Sequence, residues 1–257
     1  MRIATWNVNS VRAREARVRA WLEANRPDVL CLQELKVEAA GFPRALFEEL
    51  GYQVELLGQK SYNGVAIASR TPLADVVRGF GDGGDDAQAR FLVATTAGVR
   101  VASLYVPNGQ EVGSDKYAYK LAWLARLRRW LDAHADPGAP LALCADWNVA
   151  LTDDDVHDPA AWRDRNLFSA PEHAAMAEIM AWGLTDCYRA RHPRGRDYSW
   201  WDYQGISFFK DRGLRIDMIL ASPPLAARLR DCAIDREARK GKDASDHAPV
   251  VATFADA

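Results

Sequence analysis

Apolar runs recur along the chain at short intervals, and several of them end on a polar cluster. Residues 2–8 and 29–33 are apolar and β-compatible. Between them, residues 11–25 set Val11, Val18, Trp21 and Leu22 on one helical face, with Ser10 placed as an N-cap and Arg12, Arg14, Arg17 and Arg19 on the polar side. The chain therefore opens strand, helix, strand. Further strand-like runs follow at 64–69, 91–95, 99–106, 141–145, 215–221 and 250–254, parted by turn clusters such as Gly79-Phe80-Gly81-Asp82-Gly83-Gly84. Residues 115–135 and 171–182 carry helical periodicity. Many short strands with few helices predict an α/β fold of two stacked sheets with helices on their outer faces. No low-complexity stretch divides the 257 residues, which are read as one domain. Thr5-Trp6-Asn7-Val8 is echoed by Asp146-Trp147-Asn148-Val149, so two similar halves could each offer strand ends to a shared cleft.

The polar clusters at the run ends are Asn7 with Asn9, then Glu34, Asp146 with Asn148, Asp217, and Asp246 with His247. A strand end can deliver a charged side chain to a cleft without burying it unpaired. Asp217 is enclosed by Ile216, Met218, Ile219 and Leu220, so its carboxylate needs a partner, and a histidine would serve. Ser245-Asp246-His247 supplies one just before the last apolar run. Carboxylates and amides with one imidazole and no thiolate form a hard donor set, suited to magnesium or manganese rather than to structural zinc. Beside such a metal, an acid or an Asp–His pair could orient or deprotonate water for attack on a phosphate. Asp153-Asp154-Asp155-Val156-His157-Asp158-Pro159 is acidic too, and is read as a capping loop.

Composition narrows the picture in three ways. The formal net charge of −2 gives no global basic signal, so phosphate binding must rest on a local patch or a metal. Cys31, Cys144, Cys187 and Cys232 are far apart with no paired spacing, which excludes a disulfide framework or a thiolate zinc site. No apolar stretch approaches the roughly 20 residues that span a bilayer, and the first residues lack the zones of a signal peptide, so a cytoplasmic protein without membrane contact is expected.

Read in order, Thr5-Trp6-Asn7-Val8-Asn9, Leu32-Gln33-Glu34, Tyr105-Val106-Pro107-Asn108, Asp146-Trp147-Asn148, Arg215-Ile216-Asp217 and Ser245-Asp246-His247 resemble the exonuclease III family of abasic-site endonucleases, within the endonuclease/exonuclease/phosphatase superfamily. The resemblance implies a four-layer α/β/β/α sandwich with the active site at one edge of two facing sheets. It implies that Glu34 is the principal ligand of Mg2+, with Mn2+ as a substitute, and that Asn7, Asn9 and Asp246 lie beside it. Asp146, Asn148 and His247 complete the implied metal set. Asp146 would position or activate water, Asn148 would hold phosphate or water, His247 would contact the scissile phosphate, and Asp217 would orient His247. Tyr105 and Asn108 match phosphate-contacting positions.

Trp200, Leu214 and Ile216 match the walls of an abasic-sugar pocket, where a flipped-out deoxyribose without a base would fit and a whole nucleotide would not. The implied substrate is double-stranded DNA with abasic sites or 3′ ends, cut by a monomer. Ala145, Trp147 and Ser10 depart from the family's usual residues without removing a reactive group. Two other readings share parts of this chemistry: a superfamily phosphatase for a non-nucleic-acid phosphoester, and a nucleic-acid-binding module without catalysis. Trp200-Trp201 and Tyr105-Val106-Pro107-Asn108 speak against the first, and the full set of reactive groups against the second.

Overall fold

The structure, a computed structural model, describes residues 1–84 and 87–256. It opens with β1 (Arg2–Asn7), α1 (Glu15–Asn25), β2 (Val29–Gln33), α2 (Arg44–Glu49), β3 (Gln53–Leu57), β4 (Val65–Ser69) and β5 (Ala74–Arg78). There follow β6 (Phe91–Thr96), β7 (Val99–Tyr105), α3 (Asp115–His134), β8 (Leu141–Asp146), α4 (Pro159–Trp162), α5 (Ala170–Met180), β9 (Thr185–Asp186) and α6 (Cys187–Arg191). The last elements are β10 (Trp200–Trp201), β11 (Gly213–Leu214), β12 (Asp217–Ala221), α7 (Pro223–Ala226), β13 (Leu229–Ile234) and β14 (Val250–Phe254).

Two six-stranded sheets form, in the orders β13-β14-β1-β2-β4-β3 and β5-β6-β7-β8-β12-β9. In each the central pair is parallel, β1 with β2 and β7 with β8, and the other pairs are antiparallel. A helix, α1 or α3, makes the crossover that a parallel pair needs. The two sheets thus share one pattern of directions, in which β1 corresponds to β7 and β2 to β8. The echoed segments end β1 in the first sheet and β8 in the second.

Central strands bury both faces, and side-chain alternation sends neighbouring residues to different layers. Ile3, Val29 and Cys31 meet Ala142, Cys144 and Ile219 between the sheets. Ala4, Trp6, Leu30 and Leu32 pack outward on Val18, Trp21 and Leu22 of α1 and Phe47 of α2. Leu143, Ala145, Met218 and Leu220 pack outward from the second sheet on Trp123, Leu127, Met176 and Ile179 of α3 and α5. This is the four-layer sandwich implied by the motifs. The first helix begins later than its periodicity suggests: residues 11–14 are a turn, Arg14 is the N-cap, and Ser10 Oγ instead accepts from Ala13 N at 3.4 Å. Ser10 has φ +87°, which sets it outside helical geometry.

The acidic loop after β8 is a cap. Thr152 and Asp155 form a capping box, and Asp158 accepts from Ala161 N at the start of α4. Asp155 also meets the fully buried Arg215, whose Nε lies 2.6 Å away, while Arg189 approaches the same oxygen and Arg215 pairs with Asp186 at 2.8 Å. Removing one partner of a buried pair strands the other charge. Asp155→Ala is therefore expected to destabilise the fold by about 3–5 kcal/mol, measured by urea unfolding. Burial pushes the Asp155 carboxyl up, but Arg215 and Arg189 outweigh it and hold it below its ordinary 3.8. Its stabilisation is present above that value and is lost as pH falls through the lowered one, so wild type should lose more stability than the variant below pH 3.8.

Candidate active site

The strand ends that carry the polar clusters meet at one edge of both sheets. Register places Asn7 beside Gln33, the residue before Glu34, and sets Tyr105, Asp146 and Asp217 in one row across β7, β8 and β12. Asp246 and His247 lead into β14, whose Val250 pairs with Thr5. Two indoles hold this frame from behind. Trp6 Nε1 donates to His247 O, and Trp147 Nε1 donates to Met218 O, both at 3.1 Å.

Asn7 Nδ2 stands 2.8 Å from both Glu34 Oε1 and Asp146 Oδ2, bridging the two carboxylates. Lys36 Nζ lies 2.9 Å from Glu34 Oε2. Asp146 Oδ1 accepts from Asn148 N at 3.0 Å, and its Oδ2 is 3.8 Å from His247 Nε2. Behind the histidine, Nδ1 meets Asp217 Oδ2 at 2.9 Å, and Ser199 Oγ donates to the same oxygen at 2.7 Å. Asp246 sits to one side, with Oδ1 taking Asn9 Nδ2 at 2.9 Å and Oδ2 taking Trp200 Nε1 at 3.1 Å. Asn148 turns its amide into the loops: Nδ2 donates to Val106 O, and Oδ1 accepts from Asn108 Nδ2, both at 3.0 Å.

Asn9 at φ +45°, Glu34 at +52°, Lys36 at +54° and Asn148 at +50° hold left-handed backbone at this edge. Asparagine tolerates that region, whereas glutamate does so at a cost that the surrounding contacts must offset.

Burial dominates the electrostatics. It drives the Asp146 carboxyl up, and with the nearby charges of Asp217 and Glu34, against His247 and Asn7, brings it to about 7. His247 is pushed down by burial but up further by Asp217 and Asp146, to about 10, so the imidazole holds its proton. Glu34 is raised by burial yet ends below its ordinary value because of Lys36, Asn7 and His247. Burial, then Glu34 and Asp146, raises the Tyr105 hydroxyl well above its usual range.

Of the seven expected metal ligands, Glu34, Asp146 and His247 offer atoms within 4.8 Å of one another, the one such group found among the described residues. Asn7 bridges two of them, Asn9 and Asp246 bond to each other alongside, and Asn148 faces away toward Asn108. The carboxylates of Glu34 and Asp146 converge on one buried edge with the Asn7 amide between them, a hard-oxygen donor set that fits a metal ion such as magnesium.

Beside this cluster, Trp200, Trp162, Arg165, Asn166, Leu167 and Asn108 line a cavity of about 570 Å³. Trp200 is half-buried and fronts it, while Leu214 and Ile216 are buried behind in the cluster with Val156 and Phe168. Sequence reading gave no role of their own to Lys36, Ser199, Trp6 or Lys120. Lys120 alone left a clear signal, a charged residue on the apolar stripe of a helix.

A sandwich of two sheets whose strand ends gather carboxylates, amides and one charged imidazole is built to hydrolyse a phosphoester. The chain belongs to the Endonuclease/Exonuclease/phosphatase family, whose profile matches residues 4–247, and within it to the exonuclease III group. Exodeoxyribonuclease III of Haemophilus influenzae is 35% identical over 266 aligned residues, which cover 99% of this chain and 100% of that protein. A 3′-5′ exonuclease from Neisseria meningitidis, NExo, shares 42% identity at a TM-score of 0.96, covering 99% of each chain. An AP endonuclease from Archaeoglobus fulgidus shares 41% at a TM-score of 0.96, again over 99% of each chain.

Proposed function

We infer that the protein is a DNA-repair phosphodiester hydrolase of the exodeoxyribonuclease III and AP endonuclease kind, acting 5′ to abasic sites and at 3′ ends. The observation that carries this reading is the buried chain Asp217–His247–Asp146 beside Glu34. His247 Nδ1 is taken by Asp217, which leaves its Nε2 proton for the scissile phosphate. Asp146, with its Oδ2 3.8 Å from His247 Nε2, would orient the attacking water and accept its proton. Asn148 and Asn108, locked to each other, and the Tyr105 hydroxyl hold the phosphate oxygens.

Glu34, with Asp146 and the neighbouring Asn7, would hold Mg2+, for which Mn2+ substitutes. When bound, that ion neutralises the phosphate oxygens and stabilises the leaving oxygen. Every group comes from one chain, so a monomer suffices, acting in the cytoplasm with chromosomal DNA; no helix among the described residues is long and apolar enough to cross a membrane.

The deciding experiment times cleavage of intact duplex, duplex with one abasic analogue, 3′ ends and a small phosphate ester, each with magnesium and with chelator. Internal incision at the abasic site, abolished by chelator, is expected. Full activity in chelator refutes the metal assignment, and turnover of the small ester alone refutes DNA as substrate. Trp200 lines the cavity and donates its indole N–H to Asp246. Trp200→Ala is expected to lower incision at the abasic site about tenfold, on the scale of stacking on an aromatic face, and to lower removal of 3′ nucleotides less. Equal losses on both substrates would assign Trp200 to the core.

A further inference from the structure

Lys120 is a charged residue where α3 should be apolar. It shares a helix face with Tyr117, Leu124, Leu127 and Leu131, and its side chain has no solvent exposure. An ammonium taken wholly out of water needs a partner for each of its three donors. Lys120 has three. It donates to Asn108 O at 3.1 Å and to Asn148 O at 2.6 Å, and it is ion-paired with Glu172, which is equally buried.

The three partners come from different segments. Asn108 follows β7, Asn148 follows β8, and Glu172 reaches back from the first turn of α5 to accept from Leu167 N at 3.1 Å and Ser169 N at 3.0 Å. Leu167 lines the cavity in front of Trp200. The two asparagines are the pair whose side chains bond to each other at 3.0 Å. Packing around the lysine is close: a Cβ added at Gly109, where φ is +91°, would meet Lys120 Cδ at 3.0 Å and Asn166 Oδ1 at 2.7 Å. The loop after β7 is therefore seated directly on the lysine stem.

We propose that Lys120 is a positioning residue for the hydrolytic site, its ammonium tying together the three loops that carry Asn108, Asn148 and Leu167 and so fixing the two amides that hold the substrate phosphate. The role of those amides rests on the function proposed above. Lys120 touches neither substrate nor metal, and acts through the backbone it holds. Burial lowers the lysine's pKa, and the charges of Glu172 and Asp146 oppose the shift.

Lys120→Met alone strands the Glu172 carboxylate and is expected to unfold the protein, so the test uses the uncharged pair Lys120→Met/Glu172→Gln beside Lys120→Gln/Glu172→Gln. The two differ in whether residue 120 can donate to the loop carbonyls. With abasic duplex and magnesium, the Met pair is expected to lose about 100-fold in kcat, the scale of a small misplacement of reacting groups, with KM within about threefold. The Gln pair should recover about tenfold of that loss. Adding Asn148→Ala to the Met pair should cost far less than Asn148→Ala costs wild type, because both changes act through one element.

Hydrogen exchange of the Asn148 side-chain amide gives a readout that does not depend on activity. It should be slow in wild type and in the Gln pair, and fast in the Met pair. A folded Met pair with wild-type kcat overturns the proposal, as do losses that multiply fully with Asn148→Ala. If the Met pair does not fold, the Gln pair decides: a protected amide with retained turnover upholds the proposal, and a freely exchanging amide with normal turnover overturns it. Wild type that leaves DNA uncut refutes the functional reading instead, and the exchange comparison still judges Lys120.

Discussion

Asp217→Asn is expected to lower kcat by about 10³-fold while leaving KM within a few-fold, because the residue acts only through the histidine in front of it. One oxygen of Asp217 receives both His247 Nδ1 and Ser199 Oγ, so the carboxylate is held from two sides and aims the ring. Asparagine fills the same space and keeps one acceptor. It removes the negative charge that, with Asp146, keeps the imidazole protonated against its burial. The variant should fold with a nearly unchanged melting temperature, yet present to the phosphate a ring that is less often charged and less firmly aimed. Single-turnover rates at saturating abasic duplex give the measurement. An unchanged rate would mean that the pairing contributes nothing to turnover.

Asp146→Asn should cost at least as much, about 10³-fold or more in kcat, for a different reason. Both carboxylate oxygens are already engaged, Oδ1 by Asn148 N and Oδ2 by Asn7 Nδ2. The amide can keep the first contact. Its own Nδ2 then faces the Nδ2 of Asn7, two donors with no acceptor between them, and Asn7 must turn away from Glu34. The variant thus loses the proposed proton acceptor and also the bridge between the two carboxylates. Rates at raised magnesium distinguish the two losses: recovery there would show that the bridge mattered, and a rate that stays low would show that the acceptor did.

The strands most visible in the sequence are those buried on both faces. β2, β4, β8 and β12 are buried at every position and read as unbroken apolar runs. The edge strands β3, β5 and β13 escaped notice because each faces water on one side or along its rim. Glu55 and Arg78 pair across two of them, and Arg230 and Asp231 are exposed on the third. Such charges keep an edge from recruiting another strand, and they also erase the pattern that would reveal it. β9, β10 and β11 have two residues each, too few for any period.

At the site the same physics applies. Carboxylates at the ends of apolar runs stood out because burial made them improbable without a purpose. Ser199 and Lys36 are ordinary polar residues in loops, and only the fold brings them to Asp217 and Glu34. Leu214 and Ile216 illustrate the opposite limit: apolar residues carry no mark in sequence of whether they face a cavity or stand behind it, and here they stand behind Trp200.

The place of β14 between β13 and β1 bears on how the enzyme is made. This final strand joins the first strand of the chain, with Phe254 N bonded to Met1 O and the Met1 amine bonded to Phe254 O, and Asp246 and His247 lie just ahead of it. A nascent polypeptide can form the inner strands and outer helices while still growing, since domains condense as they emerge. It cannot seat the histidine until the closing strand has left the ribosome. Until then β1 is an open edge, exposed to pairing with other chains. Docking of β14 on β1 therefore does two things at once: it brings Asp246 and His247 to the edge where Asn7 stands, and it covers a strand that could otherwise pair with other chains.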